Sequence, residues 1–281
     1  MAAVLLILAV FTVGDLLLSR YGLTCTCYEI SAEGLSSAVR IVQLTDLHNS
    51  VFGAGNERLV EMVRRQEPDL ILITGDLLNA DVEGTDVAVS LIEDLSEIAP
   101  VYFSYGNHEK EYEENFGADI AELFSEAGAH VLEYSYEDIE VNGQLLRIGG
   151  IYGYCIPDRF LKTGEANEAE CAFLWEFQET ERYTILLCHM PYCWIVNDGI
   201  SEWDIDCVFA GHVHGGQIRI PLIGGLWAPD QGWFPGEECG LYYSDNQEKV
   251  MVLSRGLGST EIVPRFNNIP EVVVVDLAPQ G

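Results

Sequence analysis

Positive charge is scarce in this chain: 14 Lys and Arg residues stand against 45 Asp and Glu, for a formal net charge of -31. A field of that sign repels polyphosphate backbones and anionic lipid surfaces, which are normally met with Lys and Arg, so nucleic acid polymers are excluded as partners. Apart from Glu109 to Glu114 and Glu133 to Glu140 the acidic residues are dispersed, the pattern of a solvated surface. Internal repeats and low-complexity linkers are also lacking. With 281 residues and 48% hydrophobic content, the chain can bury one large α/β core in preference to two. Its eight cysteines lack the spacing of a zinc cluster, because Cys25-x-Cys27 is one residue short of the usual pair and has no second pair to match. Cys188 and Cys207 fall in apolar strands, where buried thiols are common, and unpaired thiols are expected. A disulfide from Cys25 is the alternative if the domain faces an oxidising space.

Histidine is sparse as well, yet five of the six fall in short motifs: Asp46-Leu47-His48, Gly106-Asn107-His108-Glu109, an isolated His189, and Gly211-His212-Val213-His214, with Gly75-Asp76 as a fifth block. Each block begins where a strand-forming run ends: Ile41 to Leu44, Leu70 to Ile73, Val101 to Ser104, Thr184 to Leu187 and Cys207 to Phe209. Open α/β sheets put their chemistry at such ends. Two neighbouring divalent cations need about four N or O ligands each and an anionic oxygen between them, a mixture that Asp, His and Asn supply. Asp46 and His48 are alternate residues that can converge on one ion from a turn, and His212 with His214 repeats the arrangement. Asp76 is placed to bridge. Gly before Asp76, Asn107 and His212 allows a close backbone approach that a β-carbon would obstruct. The sixth histidine, His130, is expected in a helix-to-strand connection with a structural role.

Over residues 38 to 277 these blocks, in this order, resemble the calcineurin-like metallophosphoesterase superfamily. The stretch from Gly211 to Pro221 and the tail Ser254-Arg255-Gly256-Leu257-Gly258 resemble its bacterial branch of membrane-anchored or exported phosphodiesterases. The resemblance implies two mixed β-sheets packed as a sandwich flanked by helices. It implies one metal on Asp46, His48, Asp76 and His214, and a second on Asp76, Asn107, His189 and His212. A hydroxide bridging the ions would attack phosphorus in line, and His108 would protonate the leaving oxygen or stabilise its charge, tasks suited to imidazole near neutral pH. Manganese is the expected ion, with iron or zinc as fitting substitutes; an all-oxygen magnesium site matches less well.

Periodicity alone predicts α/β alternation followed by an antiparallel later part. Asn56 to Gln66 reads as a helix, Thr85 opens a second that runs to Ile98 before Pro100, and Asp119 to Ala127 is a third, giving two β-α-β crossovers. Asn142-Gly143 between Asp138 to Val141 and Leu145 to Ile148 is a hairpin signal. Strands are expected at 183–187, 206–210, 249–253 and 271–276.

Residues 1–20 are apolar except at the end and are expected to be a membrane anchor, with a cleaved signal or a buried helix as alternatives; 21–281 is the catalytic domain. Asp15 would cost about 3 kcal/mol at a bilayer centre and less near its interface. The resemblance favours the extracytoplasmic face. Arg159, Arg219 and Arg255 are scarce cations that either fork onto a phosphate or pair with carboxylates. Asn49 and Gln217 follow their motifs and are expected to line a pocket. Ile220 to Phe234, with Trp227 and Trp233, reads either as an apolar loop over the cleft, facing a lipid or nucleoside, or as ordinary loop packing. The expected activity is hydrolysis of a phosphodiester or diphosphate in a small-molecule or lipid-linked ester. A phosphomonoesterase or nucleotidase, and a non-catalytic scaffold of the same fold, are the alternatives.

Overall fold

The computed structural model describes residues 1–153, 168–195, 199–259 and 263–280; Arg159 lies outside them. Short apolar runs dictate the centre of the molecule. β2 (Val39–Leu44), β3 (Leu70–Thr74), β4 (Val101–Ser104), β8 (Tyr183–Cys188), β9 (Cys207–Ala210) and β15 (Val250–Leu253) are buried almost throughout. Strands apolar on both faces suit parallel sheets covered on both sides. The first sheet adds β1 (Thr24–Ala32), β5 (Ala129–Leu132) and β16 (Glu271–Pro279) in the order β1-β16-β2-β3-β4-β5. β2 to β5 are parallel, whereas β16 runs antiparallel to β2. The second sheet, β14-β15-β9-β8-β7-β6, has a parallel centre and antiparallel edges, with β6 (Ser135–Val141), β7 (Gln144–Ile151) and β14 (Gly240–Tyr243); two short ribbons, β10 (Arg219–Ile220) with β11 (Gly224–Gly225) and β12 (Trp227–Ala228) with β13 (Gly232–Trp233), lie outside both sheets.

Alternate residues of each central strand face opposite layers. Ile41, Leu72, Tyr102 and Val275 of the first sheet meet Ile148, Ile185, Phe209 and Val252 of the second in one apolar cluster. Val42, Leu44, Ile71 and Ile73 point outward onto Leu59, Val63, Leu91, Leu95 and Phe124 of the helices Glu57–Arg64, Asp86–Ser96 and Ile120–Glu126. Leu186, Val208 and Met251 do the same against Phe173, Phe177, Trp194 and Trp203. The result is the expected sandwich of two mixed sheets between helical layers. Every functional block leaves a sheet at the same kind of position, the C-terminal end of a parallel strand.

Asn142 and Gly143 both take positive φ, 53° and 80°, in the turn joining β6 to β7, as the hairpin signal requires. Thr85 occupies the N-cap position of its helix without making a side-chain cap hydrogen bond. Two elements go beyond the sequence reading. A helix at Asn107–Phe116 has no apolar stripe, and its entry is secured instead by Glu109, whose carboxylate accepts from Gly106 N at 2.9 Å. β1 alternates exposed and half-buried residues at the sheet edge. Two expectations need correction. His130 lies within β5, stacked on Tyr102 with ring centroids 4.6 Å apart and 3.1 Å from Glu137. Cys193 is disulfide-bonded, whereas Cys25, Cys27, Cys207 and Cys239 carry free thiols.

The N-terminal run forms one helix, Ala2–Tyr21, whose apolar side chains are exposed and whose buried residue is Ser19. It is long and apolar enough to cross a membrane.

Candidate metal centre

The strand-end loops are sewn together by backbone hydrogen bonds. Asp46 N, His48 N and Asn49 N each donate at 3.0 Å to the carbonyls of Gly75, Asp76 and Leu77, so the loops after adjacent β2 and β3 run side by side. The second sheet joins through Gly211 N to His189 O at 3.0 Å and through His212 N to both carboxylate oxygens of Asp46 at 3.1 Å. Glycine makes this contact possible. A β-carbon on Gly211 would stand 2.2 Å from Thr45 Oγ1 and 2.5 Å from Asp46 Oδ2, and one on Gly106 would stand 2.1 Å from Asp76 Oδ1. Asp46, His48, Asp76, His212 and His214 all adopt positive φ between 47° and 72°, a sparsely populated region for side-chain-bearing residues that is retained where surrounding contacts enforce it.

Three overlapping clusters result: Asp46, His48 and His214; His48, Asp76 and His108; and Asp76, His189 and His212. Within each cluster the donor atoms lie within 4.8 Å of one another. His48 Nε2 is 3.9 Å from Asp46 Oδ1 and 3.7 Å from Asp76 Oδ2, and His214 Nε2 is 3.7 Å from Asp46 Oδ1. His189 Nε2 is 3.1 Å from Asp76 Oδ2. Asn107, at the start of its helix, lines the same cavity as Asp76, His108, His212 and His214, a space of about 540 Å³. Gln217 lines it too, and donates to Val263 O. Asn49 follows His48 in the same loop with its Oδ1 buried and unpartnered, and is not among the residues lining the cavity. Arg219 stands apart, held by Glu238 at 2.6 Å, and Arg255 is held by Glu271 at 2.8 Å.

The donor set fits divalent cations. His48 Nδ1 and Nε2, Asn107 Oδ1 and His214 Nδ1 are buried without a hydrogen-bond partner, and a buried polar atom left so costs about 1–3 kcal/mol. Burial holds the His48 and His214 imidazoles down at about 3, so both are neutral and able to donate a lone pair. For His189 burial acts the same way but is outweighed by the Asp76 carboxylate, which pushes it up to about 10. Asp76 is correspondingly held far below the usual carboxylate range by His189 and His48, against its own burial.

Other residues hold this arrangement without having stood out in the sequence. Glu109 is fully buried and its carboxylate accepts from Asp76 N, Leu78 N and Gly106 N, although burial and the nearby Asp76 push it up to about 7. Asn268 Nδ2 donates to His214 O at 2.7 Å and Gln217 O at 3.1 Å. Asp230 lies 3.2 Å from His212 Nε2. Glu109 does stand in a quoted motif, and its place three residues after Gly106 was a capping signal.

This geometry agrees with the sequence relationships. The chain belongs to the calcineurin-like phosphoesterase family, whose sequence profile matches residues 39–216, more than half of its length. It is therefore a metallophosphoesterase. The phosphodiesterase YaeI of Escherichia coli is 29% identical over 248 residues, covering 85% of this chain and 82% of that protein. A zebrafish (Danio rerio) transmembrane protein with a metallophosphoesterase domain is 27% identical over 89% of this chain and 56% of its own length. Among solved structures, a 5'-nucleotidase precursor from Thermus thermophilus superposes with a TM-score of 0.52 at 13% identity, a likeness of fold. The superposition covers 86% of this chain and 56% of that one.

Proposed function

We propose that the chain hydrolyses a phosphodiester or diphosphate bond of a small molecule or lipid head group with two divalent cations held around Asp76. The observation that carries this reading is the set of buried, unpartnered donor atoms on His48, Asn107 and His214, gathered with His189 about the Asp76 carboxylate. Asp46, His48, Asp76 and His214 would hold one cation; Asp76, Asn107, His189 and His212 would hold the other. Manganese by preference, otherwise iron or zinc, would supply positive charge for the phosphoryl oxygens and a more acidic water as nucleophile.

The rest is done by the chain. Thr74 O lies 2.6 Å from His189 Nδ1 and fixes the proton there, which leaves Nε2 to face Asp76. His108 Nδ1 accepts from Ala80 N at 3.0 Å, so the ring carries its proton on Nε2, from which it can donate a hydrogen bond that stabilises the charge on a leaving oxygen in the cavity. Gln217 flanks the reacting group. Among the described residues lining the cavity there is no Lys or Arg. The second negative charge of a monoester would find no side-chain cation there, which favours a diester over the nucleotidase alternative. The exposed apolar helix supports a division into an anchor at 1–20 and a catalytic domain at 21–281; the extracytoplasmic face is favoured by the resemblance to exported phosphodiesterases alone.

Manganese-loaded protein is expected to hydrolyse bis(p-nitrophenyl) phosphate faster than p-nitrophenyl phosphate. Asp76→Ala and His214→Ala should abolish that activity while circular dichroism stays unchanged. Undiminished turnover in either variant would defeat the assignment, and faster monoester hydrolysis would establish the nucleotidase reading.

A further inference from the structure

The segment Ile220 to Phe234 bounds one side of the cavity and contains a single charged residue, Asp230, which faces His212 at 3.2 Å. Trp227 and Trp233 are cross-strand partners in a short ribbon, and both line the cavity. Beyond them the segment turns apolar surface outward: Leu222 is 108% exposed, Ile223 64%, Trp233 69% and Phe234 59%. In a chain of net charge -31, a contiguous uncharged apolar rim at the mouth of a site marks an interaction surface.

The N-terminal helix identifies what meets this rim. Asp15 Oδ2 accepts from Asn267 N at 2.6 Å, Ser19 Oγ accepts from Asn268 N at 3.1 Å, and Asn267 Nδ2 donates to Arg219 O at 2.9 Å. Leu222 follows Arg219 by three residues, a reach of at most about 11 Å. The strap at residues 267–268 thus ties the end of the helix to the root of the rim. The helix before Asp15 extends only about 20 Å at 1.5 Å per residue, against a hydrocarbon core of about 30 Å. A helix that spans must therefore bring Leu16 to Leu18 into the membrane. That draws Asp15, the strap and the adjoining rim to the bilayer boundary, where Arg20 and Tyr21 at the helix end are suited to the headgroup layer.

We propose that Leu222, Ile223, Trp233 and Phe234 dock the mouth of the site onto the bilayer surface, so that the ester it receives is membrane-borne. This rests on the reading of residues 1–20 as an anchor and of the cavity as a phosphodiesterase site. Net acidity excludes attraction to anionic lipid, so docking is apolar and insensitive to salt.

The test uses the full chain in phosphatidylcholine nanodiscs. Lipid brominated near the headgroup should quench a component of tryptophan emission that is missing in Trp227→Phe/Trp233→Phe and strongly reduced in Leu222→Asp/Ile223→Asp. The aspartate variant should also lose about tenfold or more in kcat/KM on a disc-borne diacyl phosphatidyl p-nitrophenyl ester, while retaining its rate on soluble bis(p-nitrophenyl) phosphate. Quenching absent from a chain that co-migrates with the discs overturns the docking. Equal rates of wild type and variant on the disc-borne ester overturn the membrane-borne substrate. A chain that does not co-migrate removes the anchor and the docking with it. Failure on the soluble diester instead defeats the proposed activity, whatever the quenching.

Discussion

In the half of the site built from Asp46, His48 and His214 the imidazoles are neutral, whereas in the half built from Asp76, His189 and His212 one imidazole is held charged. Burial is the largest influence on His48 and His214 and, helped by neighbouring imidazoles and, for His214, by Arg265, outweighs the nearby carboxylates and keeps both at about 3. His189 is just as buried, but Asp76 at 3.1 Å and the Thr74 carbonyl at 2.6 Å reverse the outcome and raise it to about 10. Identical ligand chemistry is thus prepared in two ways. In the proposed assignment the first half receives a cation without releasing a proton, and in the second a proton on His189 stands where the cation goes.

The largest effect that tests this contrast comes from removing one imidazole from each half. His48→Ala and His189→Ala should each cost about 100-fold or more in hydrolysis and leave one tightly held ion by elemental analysis. Only His189→Ala should abolish proton release on metal binding, read near neutral pH by calorimetry in buffers of different ionisation enthalpy. Equal proton release from both variants would erase the difference between the halves. In the unaltered protein, affinity in the second half should rise with pH from neutrality towards 10 while the first half stays flat. The sign follows because His189 is protonated below about 10 and His48 is not protonated above about 3.

A smaller effect is expected behind both halves. Glu109 holds Asp76 N at 2.8 Å and Gly106 N at 2.9 Å, so it sets the carboxylate that both cations would share. Glu109→Gln keeps the shape and loses the anionic acceptor. Hydrolysis should fall about 10- to 100-fold, with affinity for both ions weakened together in a metal titration. Loss confined to one ion would show that Asp76 is not shared.

The contrast between legible and illegible parts follows the same physical lines. Parallel strands buried on both faces must be unbroken apolar runs, so β2, β3, β4, β8 and β9, together with the motif each one ends on, could be read directly. The two-sheet sandwich came from the resemblance, since periodicity does not reveal how sheets stack. Asn107–Phe116 was hidden because it has no apolar period: its entry is closed by Glu109 accepting from Gly106 N, and the same carboxylate makes a tertiary contact with Asp76 N. Asn268 and Arg265 were hidden for a related reason. They bind backbone carbonyls, those of His214 and Gln217 in one case and of Gly258 and Arg255 in the other, and a carbonyl has no residue type to recognise. The positive φ of Asp46 and His214 is equally silent, because left-handed backbone is normally announced by glycine.

The smallest predicted effect is on the acid stability of the metal-free protein, and it sets the two kinds of buried group against each other. His48 and His214 have folded-state pKa values lowered from 6.5 to about 3. The stability tied to their neutral form is complete above 6.5 and is lost as pH falls below it. Glu109 runs the other way: raised from 4.5 to about 7, it contributes stability that is complete below 4.5 and is lost as pH rises through 7. Between pH 6 and 5 His189 is already charged in both states, and Asp76, held below 3.8, stays ionised in both, so neither changes the balance. Two imidazoles therefore oppose one carboxyl in this window, and Tm should fall on acidification. Glu109→Gln removes the opposing group, so its Tm should fall more steeply than that of the unaltered protein between the same pH values. A shallower fall in the variant would mean that Glu109 is ionised in the folded chain and that Asp76 N is held by a carboxylate throughout.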